Sequence, residues 1–211
     1  MGLPRVRLLT PADLATLPGC EECGFRPDPD ADWARAVQDR WGTVGVAMNG
    51  TSGVAGYALV GLPQHLPQDH PLAIASADPH AAILLALHVE GSMRRHGLAR
   101  LLLTALAGKL VTRVPAIEAA GSRQHSTCQA PSRAWLEGVG FRPADTIEWL
   151  PSGARRMRLE LSATLGWQVH WARALRRVVG WRPQTDRPIP EGLPRTGAPI
   201  RVRRRPWLPG G

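Results

Sequence analysis

The chain has 211 residues, room for one domain with appendages or two small ones, and 44% of them are hydrophobic against 20% charged, the balance of a protein that buries a core. The formal charge of +9 comes from the carboxyl-terminal end, where 13 arginines after residue 154 face only Glu160, Asp186 and Glu191. No apolar run reaches the ~20 residues that span a membrane, Gly and Pro stay below the level that marks wholesale disorder, and Cys20, Cys23 and Cys128 are too few and of odd number for a disulfide scaffold, so fibrous, transmembrane and disulfide-framework classes are excluded.

In chain order, residues 5–9 read as a short strand, and Thr10-Pro11 opens a short helix, Thr being a good N-cap and Pro favoured at the first helical position. Residues 19–30 form a loop. A helix is predicted over 31–41, with Trp33, Val37 and Trp41 on one face. Apolar strands over 43–48 and 54–60 flank Asn49-Gly-Thr-Ser-Gly53, a hairpin signal, and a loop punctuated by prolines fills 61–80. Residues 82–89 are too continuously apolar for a half-exposed strand and read as a buried one. The strongest helix spans 97–112, where Leu98, Leu102, Leu106 and Leu110 recur at helical intervals. A strand over 115–120, a short helix over 131–137 ended by Gly138 and Gly140, and strands over 146–150 and 155–161 follow. An amphipathic helix over 165–179 precedes a Pro/Gly/Arg-rich end that reads as mostly disordered. The order predicts an α/β domain with a mixed sheet over 1–162, an added carboxyl-terminal helix over 163–180 and a basic tail over 181–211.

The segment that carries chemistry is Leu87-His-Val-Glu-Gly-Ser-Met-Arg-Arg-His-Gly-Leu-Ala99. A strand runs into a turn, and Arg94-x-x-Gly97-x-Ala99 opens the long helix. Small residues at 97 and 99 let a group approach the backbone closely. The first amides of a helix have no intrahelical acceptor and lie at the positive end of its dipole, so they attract anions. This is a pyrophosphate cradle built from main chain, with Arg94 and Arg95 supplying charge. The pattern alone is weak in a chain so rich in Arg, Gly and Ala, and it counts only in its strand-to-helix context.

About forty residues on comes Trp135-Leu-Glu-Gly-Val-Gly140-Phe141, at the end of the short helix. Here the sequence resembles the GNAT acetyltransferase superfamily, whose cofactor motif is Arg/Gln-x-x-Gly-x-Gly/Ala after the fourth strand and whose fifth strand is followed by a helix ending in Gly-Phe. The resemblance covers residues 4–162 and is closest over 83–142. An early Cys20-Glu-Glu-Cys23-Gly-Phe25 is similar to an actinobacterial-type branch of that superfamily. The resemblance implies acetyl-CoA as cosubstrate and an amine as acceptor. It places the Leu87 and Val89 backbone on the pantetheine arm and thioester carbonyl, where the fourth and fifth strands splay apart. The segment Arg94, Arg95, His96, Gly97, Leu98, Ala99 and Arg100 would then hold the pyrophosphate.

The chain departs from the family where catalytic residues are concerned. A tyrosine often stands four residues before the Gly of Gly-Phe, where this chain has Leu136, and a glutamate eleven before the first Arg/Gln, where it has Ile83. The candidates are Glu118, a carboxylate inside a strand where lack of a partner is costly, and His88, whose parity is opposite to Leu87 and Val89 in a regular strand. Glu90 and His125 are weaker ones. The pair Cys20 and Cys23 fits half a zinc site, a redox pair or two packed thiols, and Cys128 with His125 completes a Cys₃His set only where the fold gathers them; no metal is expected. Pro11, Asp13 and Pro18 interrupt any secretory h-region, so a cytoplasmic location away from membranes is expected. The arginines at 201 and 203–205 sit between prolines rather than across a folded face, which argues against nucleic acid as a partner. A second copy of the chain is a candidate partner.

Overall fold

The computed structural model describes residues 6–29, 32–50, 53–73, 78–144, 150 and 153–161. The expected helix over 163–180 and the tail over 181–211 lie outside them. So does the strand expected over 146–150, except Leu150, which is not in a strand.

Strand β1 (Val6–Leu9) leads into a 3₁₀ helix over Pro11–Thr16, at the place of the predicted short helix. Asp13 holds that turn together: its carboxylate accepts the Thr10 N–H and Oγ at 2.7 Å each and the Arg7 guanidinium at 2.6 Å. Helix α1 (Asp32–Trp41) buries the predicted face, Trp33, Val37 and Trp41, with Ala34 beside them. The hairpin forms as β2 (Gly45–Gly50) and β3 (Gly53–Gly61), and β4 (Ala82–Val89) takes the predicted bounds. Helix α2 (Leu98–Leu110) buries Leu102, Leu103, Leu106, Ala107 and Leu110. It is followed by β5 (Ala116–Ser122), α3 (Arg133–Gly138), β6 (Arg142–Pro143) and β7 (Ala154–Glu160). The strand β6 escapes sequence reading because two residues are too few to show alternation.

The strands form one mixed sheet in the order β1-β2-β3-β4-β5-β7-β6. Neighbours run antiparallel except β4 and β5, which run parallel. Gly56 on β3 backs onto Leu102 of α2, while Tyr57 and Leu59 point to the opposite face, where Trp33 of α1 lies beside Leu59. The sheet is therefore covered on both sides, which is why β3 and β4 read as continuous apolar runs. Among the described residues no helix is long and apolar enough to cross a membrane.

Candidate functional site

Strands β4 and β5 pair only through Ala82↔Ile117 and Ile83↔Glu118, then part. Two features of β4 follow from its register with β3. Ala86 pairs with Leu59 and Leu84 with Val60, which leaves Leu85 as a bulge. Beyond the bulge Val89 faces Gly56, and the Glu90 N–H bonds the Ala55 carbonyl at 2.9 Å. In an antiparallel ladder that arrangement turns the peptide groups of Leu87 and Val89 away from β3 and into the gap. The Val89 carbonyl there accepts the Arg94 Nε–H at 3.2 Å. The Leu87 N–H donates to the Cys128 carbonyl at 2.8 Å, so the loop after β5 occupies the amide expected to hold the thioester arm.

The bend between β4 and α2 runs through a 3₁₀ turn, Gly91–Met93. Arg95 then takes φ 64° and Gly97 φ 78°, both left-handed. For an arginine this is strained backbone of the kind that gathers at ligand sites. The first α2 amide to find a helical acceptor is Leu101, on the Gly97 carbonyl at 3.0 Å, so the amides of Leu98, Ala99 and Arg100 face out of the first turn. A cavity of about 630 Å³ lies against them, lined by Val89, Arg94, Arg95, Gly97, Leu98, Ala99 and Arg100. Its far wall is α3, through Trp135, Gly138 and Val139, which sequence reasoning missed because only the fold folds α3 back beside the bend. Individual side chains depart from the expected roles. Arg94 gives its Nη1 to both Glu22 oxygens, at 2.6 and 2.7 Å, and so ties the early cysteine loop to β4. Arg100 bonds the Gly138 carbonyl at 2.7 Å, and His96 is exposed with its Nδ1 2.7 Å from the Arg94 carbonyl.

On the opposite face of the sheet a second cavity of about 380 Å³ is lined by Phe25, Trp33, Leu59 and Leu85 on its apolar side. Asp28, Asp32, Asp69, Arg26, His65 and His70 give it a polar side. The β4 bulge is what turns Leu85 into it. His70 is buried, accepts the Leu72 N–H on Nδ1 at 3.2 Å, and has its pKa pushed down to about 4 by burial, which the Leu84 backbone and Asp69 only partly offset.

The two catalytic candidates lie on this same face but line neither cavity. Glu118 is 1% exposed. It stands beside Ile83, the position where the resembled family often carries its glutamate, and its Oε1 accepts Arg158 Nη1 at 2.9 Å with Arg156 3.9 Å from Oε2. Arg158 also binds Asp78 and Glu160, so Glu118 belongs to an ion network joining β5, β7 and the loop before β4. His88 is buried and stacked on Tyr57, ring centroids 5.0 Å apart, and its Nδ1 lies 3.6 Å from the Cys128 sulfur. Burial, and then Arg94, hold the His88 pKa below its usual value, which keeps the ring neutral near pH 7. Glu90 and His125 are exposed.

The three cysteines converge beside His88, with their sulfurs all within 4.8 Å of one another. Burial raises the Cys23 pKa, but backbone hydrogen bonds from Cys128 and Phe25 outweigh it and leave the thiol below its ordinary value. Burial and the neighbouring Cys20 push the Cys128 thiol up, and burial with the three cysteines does the same to Tyr57.

No protein-family model and no curated protein matches the sequence. Solved structures match the fold. Aminoglycoside acetyltransferase AAC(6')-Ib in complex with coenzyme A is 22% identical with a TM-score of 0.52, over 76% of this chain and 96% of that one. The GNAT-like decarboxylase GphF in complex with isobutyryl-CoA is 20% identical with a TM-score of 0.50, over 74% and 99%. The Escherichia coli GNAT family N-acetyltransferase YhbS in complex with CoA is 18% identical with a TM-score of 0.50, over 78% and 84%. The seven-stranded mixed sheet, parted between its parallel pair and covered by helices on both faces, is thus the fold of the GNAT acyl-CoA N-acyltransferases.

Proposed function

We propose that this chain is a GNAT enzyme that transfers an acetyl group from acetyl-CoA to an amine. One observation carries the reading: the cavity at the start of α2, with Arg95 and Gly97 in left-handed backbone, sits at the mouth of the gap between β4 and β5. The amides of Leu98, Ala99 and Arg100 take the pyrophosphate, with Arg95 and the helix dipole adding attraction. The pantetheine arm then runs into the gap along Val89 and Leu87, and the carbonyl of Cys128 yields the Leu87 amide to it. The solved structures that share the fold include three with CoA or an acyl-CoA bound, and that supports the cofactor class.

The acceptor enters from the other face, through the cavity beside Leu85. Asp28, Asp32 and Asp69 around that cavity suit a protonated amine. An alkyl amine with a pKa of about 10.4 must lose a proton before it attacks. Contact with Leu59, Leu85 and Trp33 desolvates the ammonium and favours its neutral form. The carboxylates draw the ammonium to the mouth of the cavity, and on passing to the apolar side it gives its proton to water there rather than to Glu118, which is engaged by Arg158, or to His88, which is stacked against Tyr57.

A second reading, a CoA-binding or interaction module without turnover, is favoured by the Cys128 carbonyl on the Leu87 amide and by Leu136 and Ile83 in place of the usual Tyr and Glu. Calorimetric titration with acetyl-CoA and a thiol-release assay over a panel of amines separate the two. Binding with amine-dependent thiol release is the expected result. Binding without release on any amine leaves the CoA-binding module, and absence of binding removes the enzyme and leaves only the interaction module.

A further inference from the structure

We propose that Cys20, Cys23, Cys128 and His88 bind one zinc ion, in a closed structural site that links the loop after β5 to the early cysteine turn. The inference does not depend on the acyl-transfer reading. The four residues come from three separate segments, and only the fold gathers them. Cys20 and Cys128 are each 6% exposed, too buried for chance solvent-facing thiols, and all three sulfurs are mutually within 4.8 Å.

The chemistry of the set selects the ion. Three thiols and an imidazole make a soft donor group with no oxygen, which suits tetrahedral zinc and excludes magnesium and calcium. With Zn–S near 2.3 Å and Zn–N near 2.0–2.1 Å, a tetrahedron has S···N edges of about 3.6 Å and S···S edges of about 3.8 Å. The His88 Nδ1 already lies 3.6 Å from the Cys128 sulfur. The three sulfurs, mutually within 4.8 Å, have at most about 1 Å to close to reach the tetrahedral edge.

Supporting groups hold the donors in place, as outer partners do around structural metals. The Cys20 N–H bonds the Phe25 carbonyl at 2.8 Å and the Gly24 N–H bonds the Cys20 carbonyl at 2.9 Å, which closes the Cys-x-x-Cys turn. Gly24 has φ 72°, the left-handed conformation this turn requires. Backbone groups of Phe25 and Cys128 hydrogen-bond the Cys23 sulfur. Tyr57 stacks on the His88 ring, and its hydroxyl is anchored on the Pro18 carbonyl at 2.9 Å. Three thiolates and Zn²⁺ leave a net charge of −1, and the Arg94 guanidinium lies within electrostatic reach of Cys20 and Cys128. The sequence expectation of no metal considered His125 as fourth ligand; the fold leaves His125 exposed and brings the His88 ring to the Cys128 sulfur, at one edge of the three-cysteine cluster.

The position gives the ion a consequence. Cys128 is both a ligand and the residue whose carbonyl caps the Leu87 amide. A metal at its sulfur therefore sets how the loop after β5 lies across the gap between β4 and β5.

The test uses the full chain, purified under reducing conditions and analysed for metal by mass spectrometry, then stripped and titrated with Co²⁺ alone. One zinc per chain is expected, with intense thiolate-to-cobalt charge-transfer absorption on reconstitution. Cys128→Ser should weaken Co²⁺ binding and diminish that band, since two of three thiolates remain, and His88→Ala should weaken Co²⁺ binding at least tenfold while the band keeps its full intensity on three thiolates. A stripped wild-type chain that keeps its fold by circular dichroism yet takes up neither Zn²⁺ nor Co²⁺ at equimolar metal overturns the proposal, whatever the variants do. So does a Cys20–Cys23 disulfide found when thiols are alkylated before lysis, because a disulfide removes two of the ligands.

Discussion

Gly97 shows how one residue can carry a binding reading. An added Cβ there meets no atom within 4 Å, so space does not demand glycine; the φ of 78° does. A side chain in that conformation costs about 1–2 kcal/mol, least for Asn and Asp. Gly97→Asp and Gly97→Asn therefore carry similar backbone strain and differ in charge. Under the proposed function the Asp variant loses at least about tenfold in acetyl-CoA affinity, or ~1.4 kcal/mol, because a carboxylate stands against the pyrophosphate. The Asn variant retains most of the affinity. Equal affinities for the two variants by calorimetry contradict an anion site at this bend. The spacing of Gly97 to Arg94 and Ala99 is what the sequence offers toward that reading. The left-handed Arg95 was not legible, because nothing in an arginine announces a positive φ.

At the scale of elements, the parting of β4 from β5 creates the gap, and an ion network sits where they still touch. Glu118, at the last paired position, holds Arg158, which reaches on to Asp78 and Glu160. Its 2% exposed side chain makes it the buried centre of that network. Glu118→Ala removes the buried acceptor from Arg158 and is expected to cost about 3 kcal/mol of stability. Glu118→Gln costs less, since its amide oxygen still accepts from the guanidinium. Chemical denaturation measures both, and an unchanged midpoint for the alanine variant removes the structural role. The sequence signalled that a carboxylate inside a strand needs a reason. It did not signal which of two reasons applies, because Arg158 lies forty residues away and meets Glu118 only through the pairing of β5 with β7.

For the whole molecule, acid stability follows from His70. Its pKa falls from an ordinary 6.5 to about 4 on folding, chiefly through burial. The unfolded chain therefore binds the proton more readily between those values, so stability is fully present above pH 6.5 and declines as pH falls toward 4. The slope from this one group approaches about 1.4 kcal/mol per pH unit within that window. Denaturation midpoints at pH 7, 6 and 5 should fall more steeply for the wild type than for His70→Gln, and parallel curves would show that His70 is not the titrating group. Element order, the apolar faces of α1 and α2, and the strand-to-helix motif were all decided locally. Side-chain periodicity and glycine placement act over a few residues, and those are what the linear chain records. Only the tertiary structure decided that Cys128 meets Cys20, Cys23 and His88, that the Cys128 carbonyl caps the Leu87 amide, that Arg94 serves Glu22, and that α3 walls the cavity at the start of α2. Each of these joins segments tens of residues apart, where proximity is set by how the sheet is ordered and where it parts, and no local preference encodes that.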